Sequence, residues 1–138
     1  MNKKLSIIFF LILFLFSGCV AKGPKFKTFD IPKDGKHGTL YIYGKDLIGF
    51  QIIVDGELLG DMKLKGYFVK KLPANKLVSI VANGDDKTQL KIKVKIPKND
   101  VVCVKIHRYF LRKYNNFKIM NKNQCLSEIK YTRLIIEK

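Results

Sequence analysis

The chain has 138 residues, 27 Lys and Arg against 11 Asp and Glu, a formal net charge of +16, 47% hydrophobic residues and no Trp. That length holds one domain with a modest core and excludes several full-sized ones. The cation excess disfavours cationic partners and leaves anionic lipid headgroups, lipopolysaccharide, acidic glycans and nucleic acid. Much of it is Lys scattered along strand-like runs among many Asn, which also reads as an ordinary solvated face.

The N-terminus reads as an export signal. Met1-Asn2-Lys3-Lys4 is a short positive start, and LSIIFFLILFLF, Leu5 to Phe16, has Ser6 as its only polar residue. As a helix those residues span about 18 Å, against a bilayer core of roughly 30 Å. The length suits the apolar region of a secretory signal, which ends on small residues such as Ser17-Gly18. A short membrane anchor that stays attached is the alternative.

LFSGC, Leu15 to Cys19, resembles the bacterial lipobox, with Phe16 where Leu is commonest. The resemblance implies a diacylglyceryl group on the Cys19 thiol, cleavage just before Cys19 and acylation of the new N-terminus. Two or three acyl chains hold a protein firmly where one holds it marginally. Val20 stands where an Asp favours the inner membrane, so the resemblance implies a cell-envelope location, with the periplasmic face of the outer membrane preferred. Export argues against nucleic acid as a partner. The part after Gly18 keeps 25 Lys and Arg, the 27 less Lys3 and Lys4, against 11 acids, a net charge of about +14.

Residues 20–36 contain Gly23, Pro24, Pro32 and Gly35 and no periodicity, which reads as a spacer. The expected organisation is a signal peptide over 1–18, a lipidated tether over 19–36 and a domain over 37–138. From His37 the pattern becomes short β-rich runs. TLYIY (39–43) is followed by FQIIVD, Asp55-Gly56 and ELLG, where Asp-Gly between apolar runs is a strong hairpin signal because both residues tolerate positive φ. GYFVKKL (66–72) ends at Pro73-Ala74-Asn75, KLVSIVA follows, and Asn83-Gly84 is a second hairpin signal. Leu90, Ile92, Val94 and Ile96 then alternate with Lys91, Lys93 and Lys95, placing aliphatics on one face and lysines on the other. Pro97 to Asp100 turns the chain into VVCVKIH (101–107), NFKIM is a further strand, and Asn121 to Lys130 has the spacing of one short helix. The fold class expected is all-β: a small antiparallel β-sandwich with one short C-terminal helix.

The order GTLYIYG, IIVDGELLGDM, GYFVKKLPANK and VVCVKI, closing on CLSEI (125–129), resembles a bacterial lipoprotein family of unknown function with PEGA-like domains. Its members read as an aromatic-rich strand, a V-x-V-D-G-x-x-V-G hairpin, a Y-F…P-G segment, a Y-Y strand and a helix with A-x-x-E-I. The match covers about residues 38–130. Asn75 replaces the usual Gly, and Asn is the next most tolerant of left-handed angles. Val101-Val102 replace the aromatic pair. The resemblance implies a β-sandwich and transfers no catalytic residues.

Signals for chemistry are sparse. His37 and His107 belong to no ligand-spaced motif, and Cys103 and Cys125 form no C-x-x-C, so no metal or cofactor is expected. Ser79 and Ser127 lack a nucleophile context. Asp55, Glu57 and Asp61 cluster at the first hairpin and could be read as calcium ligands, but the turn accounts for Asp55 and an ordinary solvated surface for Glu57 and Asp61. Cys103 and Cys125 permit a single bridge closing a loop worth roughly 3 kcal/mol, or two buried thiols; free thiols are slightly preferred. HRYFLRKY (107–114) mixes Arg108, Arg112 and Lys113 with Tyr109, Phe110 and Tyr114, a composition suited to a membrane, glycan or protein interface. The expected function is a membrane-anchored, non-enzymatic binding or scaffolding module whose partner is an envelope protein or an anionic surface. A basic protein that engages anionic lipid or glycan through Lys91, Lys93, Lys95 and the 107–114 segment is the alternative, and an unrecognised envelope enzyme the third reading.

Overall fold

The computed structural model describes residues 20–44, 49–84, 87–108 and 115–136. The strands are β1 (His37–Gly44), β2 (Gln51–Val54), β3 (Glu57–Asp61), β4 (Gly66–Pro73), β5 (Leu77–Asn83), β6 (Gln89–Lys95), β7 (Val101–Arg108), β8 (Asn115–Met120) and β9 (Arg133–Leu134), with helix α1 (Lys122–Ile129) between the last two. They form a five-stranded sheet ordered β8-β7-β1-β4-β9 and a four-stranded sheet ordered β3-β2-β5-β6. Most pairings are antiparallel, while β1–β7 and β4–β9 are parallel.

Period-two alternation builds the main core between the sheets. Leu40, Ile42, Phe68, Val104 and Ile106 of the larger sheet meet Ile52, Val54, Val78, Ile80, Ala82 and Val94 of the smaller. The turns follow local chemistry. Asp55 and Gly56 take φ of 49° and 83°, and Asn75 takes 62°, the left-handed angles their residue types tolerate. Asn121 caps α1, its side chain accepting the Gln124 amide at 2.8 Å.

The larger sheet is also covered on its outer face. Tyr41, Tyr43, Tyr67 and Cys103 point there and pack under Phe26, Cys125 and Ile129 as a second core. This is why β1 is buried along nearly its whole length: a central strand covered on both faces loses its polar side.

The cover corrects one expectation. Residues 20–30 are a packed strap, not a loose tether. Val20 bridges Leu64 and Lys25 bridges Arg133, while the Ala21, Gly23 and Phe26 amides donate to Leu64, Leu134 and Thr132 at 3.1–3.2 Å. Phe26 and Phe29 meet Tyr41 edge to face at 6.0 and 5.2 Å, and Phe26 meets Tyr67 at 5.8 Å. The Tyr41 hydroxyl accepts the Asp30 amide at 2.8 Å, and the Thr39 hydroxyl donates to the Asp30 carbonyl at 2.7 Å. A segment without hydrophobic period can still dock when two rings and a run of backbone groups find partners.

Candidate functional site

Strand directions sort the molecule into two ends. The β2–β3 turn, the β4–β5 turn and the β6–β7 turn lie at the end where β1 begins. Gly44 pairs with Gly66 at the other, where β3 runs into β4 through residues 62–65. The strap enters at this second end, with Val20 against Leu64. Cys19, the expected lipidation site, lies outside the described residues, as do residues 1–18 and Tyr109, Phe110, Arg112, Lys113 and Tyr114. Arg108 is described through its backbone alone, which pairs with Asn115.

Around Val20 the exposed groups are mainly cationic and aliphatic, with the exposed acid Asp61 at the end of β3. Lys22 and Lys65 are exposed, Lys63 and Arg133 half-buried, and Val20 and Ile136 are 41% and 56% exposed. Arg133 donates to the Gly23 carbonyl at 3.2 Å and so also ties the strap to β9.

At the opposite end three cations are matched by acids, while Lys33, Lys36 and Lys98 are exposed and outside the ion pairs among the described residues. Lys71 pairs with Asp34 at 2.9 Å, Lys76 with Asp55 at 2.5 Å and Lys122 with Asp100 at 2.6 Å. The Lys76 ammonium and the Ser79 amide hold the Asp55 carboxyl below its usual range, and Lys122 with the Val101 amide does so for Asp100. The Lys36 amide, then Lys71, lowers Asp34 in the same way. Within the first hairpin, Asp55 serves the turn and Lys76, while Glu57 pairs with Lys70 on the larger sheet. Among the described residues no group of three or more His, Cys, Asp or Glu could hold a metal ion.

Lys91, Lys93 and Lys95 stand together, exposed, on the outer face of β6, as their alternation requires. Their β5 partners are Val81, Ser79 and Leu77. Val81 continues through Ile53 to Leu58, the last 56% exposed, giving an aliphatic row beside the lysine row. Lys on an edge strand also discourages pairing with a stray strand.

Cys103 and Cys125 form a disulfide, with 2.03 Å between sulfurs and 6.2 Å between Cα atoms. The bond corrects the slight preference for free thiols and staples α1 to β7. Beside it lies a polar latch that no motif signalled: the Tyr43 hydroxyl donates to Glu128 at 3.1 Å, and Lys105 pairs with the same carboxylate at 2.5 Å. Burial, then the Glu128 charge, raises the Tyr43 hydroxyl above its usual range. The three residues are 43, 105 and 128 in sequence, so only folding brings them together.

Among the described residues no helix is long and apolar enough to cross a membrane. Comparison with protein-family models, with curated proteins and with solved structures finds no match for this chain.

Proposed function

We propose that the chain is a lipoprotein of the bacterial cell envelope, anchored through Cys19, whose PEGA-like domain is a non-enzymatic binding or scaffolding module. The observation that carries this reading is LFSGC closing the apolar run Leu5–Phe16 immediately before the packed strap. Cleavage before Cys19 would leave every described element in one piece. The Cys103–Cys125 disulfide adds support, because such bonds persist mainly in oxidising compartments outside the cytosol. Val20 favours the periplasmic face of the outer membrane. Anchoring would raise the domain's effective concentration near envelope partners, which is how a module without chemistry of its own acts.

Metabolic labelling with a fatty-acid analogue tests the anchor. Wild type should carry label and Cys19→Ala should not; no label on wild type, or equal label on both, rejects it. A pull-down from native membranes with the same pair then identifies partners that depend on anchoring.

The ladder of Lys91, Lys93 and Lys95 beside exposed aliphatics favours a second reading, a surface that engages anionic lipid or glycan directly. Binding of the Cys19→Ser chain to anionic vesicles should then weaken steeply as salt shortens the Debye length. Binding that is absent, or indifferent to salt, counts against it.

A further inference from the structure

The strap changes what an anchor at Cys19 would do to the domain. A tether leaves a domain free to tumble, whereas here one peptide unit, about 3.8 Å between Cα atoms, separates Cys19 from the bridged Val20. The next residues are held by their backbone: Ala21 is 2% exposed and its amide donates to Leu64 at 3.2 Å. Gly23 lies so close to β9 that a Cβ there would stand 2.2 Å from the Leu134 carbonyl oxygen. An acylated Cys19 therefore brings one end of the sandwich to headgroup level. β1 has eight residues, so the other end stands roughly 24 Å away at about 3.4 Å per step.

The charges at the near end suit that position. Lys22, Lys63 and Lys65 take part in none of the ion pairs among the described residues. At the far end Lys71, Lys76 and Lys122 are each paired with an acid, while Lys33, Lys36 and Lys98 are exposed and outside those pairs, so the position of the anchor, and not charge alone, selects the near end. Asp61, the acid at the end of β3, is itself engaged. Lys45, Asp46, Asp85, Asp86, Glu137 and Lys138 lie outside the described residues.

We infer that the sandwich end bearing Val20, Lys22, Lys63, Lys65 and Arg133 rests on anionic phospholipid headgroups, with the strands standing up from the bilayer. The inference rests on the proposed acylation of Cys19 and adds to it an orientation and a lipid class. Upright strands turn the Lys91–Lys93–Lys95 face sideways and leave the β2–β3, β4–β5 and β6–β7 turns on the side away from the membrane, open to other envelope components. Each cation near an anionic surface strengthens contact on the order of fivefold.

The test uses the full chain expressed in bacteria, purified from membranes and reconstituted into phosphatidylethanolamine–phosphatidylglycerol vesicles or phosphatidylcholine vesicles. Intact mass reports the acyl chains, and hydrogen exchange reports the contact. Amides of residues 62–65 and of Lys22 should exchange more slowly on the anionic vesicles alone, losing that protection in high salt and in the Lys22→Glu/Lys63→Glu variant. Amides around Asp55 should be equal on both vesicles, and their unchanged protection in the variant shows that it is folded. A mass without acyl chains overturns the anchor reading and this inference with it. Acyl chains with no lipid-dependent protection at 62–65, or with protection on the Lys91–Lys95 face instead, overturn the orientation alone.

Discussion

A single short side chain can define a turn, and Asp55 does so at the first hairpin. Its left-handed φ of 49° costs little for an Asp, its carboxylate accepts the Ser79 amide at 2.8 Å, and the same group pairs with Lys76. Asp55→Ala loses both contacts while keeping the strained angle, so urea unfolding should show a loss of about 1–2 kcal/mol. Asp55→Asn, which keeps the turn preference and an acceptor, should lose less. The depressed carboxyls of Asp34, Asp55 and Asp100 also set a direction with pH. Their folded values lie below the unfolded value of about 3.9, so their contribution is complete above that value and is lost as pH falls from about 4 through the folded values. The slope should be shallow, because the three groups are solvated and screened. A urea midpoint that rises on acidification below pH 4 would contradict the assignment. Asp55 and Asn75 were legible in the sequence because turn chemistry is local. The disulfide was not, since Cys103 and Cys125 are 22 residues apart and meet only when α1 folds back onto β7.

At the scale of elements, the strap is held by close approach more than by periodic burial. Gly23→Ala should lift it from β9, because its Cβ would meet the Leu134 backbone and backbone yields little. The expected loss is about 1–3 kcal/mol, read as faster exchange of the Ala21 and Phe26 amides while Ile80, paired on both sides in β5, stays protected. Equal protection of the strap in wild type and variant would remove Gly23 from this role. The eight strands from His37 to Met120 and the helix were readable because alternation, Asp-Gly and Asn121 are signals within a few residues. The strap and β9 were not: β9 is two residues long, and the strap's backbone partners lie at Leu64 and, more than a hundred residues away, at 132–134. Of the candidate surfaces, the lysine row was legible as a period of two, while the cationic end beside Val20 emerged only once Leu64 and Arg133 were placed next to the strap.

The whole molecule is three layers on two cores: the small sheet, the large sheet, and an outer cover made of the strap and α1. The cores differ in construction. The one between the sheets is mostly aliphatic, with Phe50, Phe68 and Phe117, and lies between two hydrogen-bonded sheets. The outer one relies on rings, on the Tyr43–Glu128–Lys105 latch and on one covalent bond. The α1 side of that cover has few backbone bonds to the sheet, so the disulfide carries much of its attachment. Bridging a loop of this size stabilises by roughly 3 kcal/mol in the chain-entropy model, and the gain falls mainly on the element that the bond ties down. Cys103→Ala/Cys125→Ala should therefore lower global stability by about that amount and also create a sub-global opening. In native-state exchange, Ile129 and Phe26 should then open at a lower free energy than Ile52 and Ile80, whereas in the oxidised wild type the two sets should lie close together. The same split should follow reduction by dithiothreitol. If all four amides continue to exchange at one common free energy after the bond is removed, the cover is an integral part of the sandwich, and the latch and the aromatic cluster alone hold it.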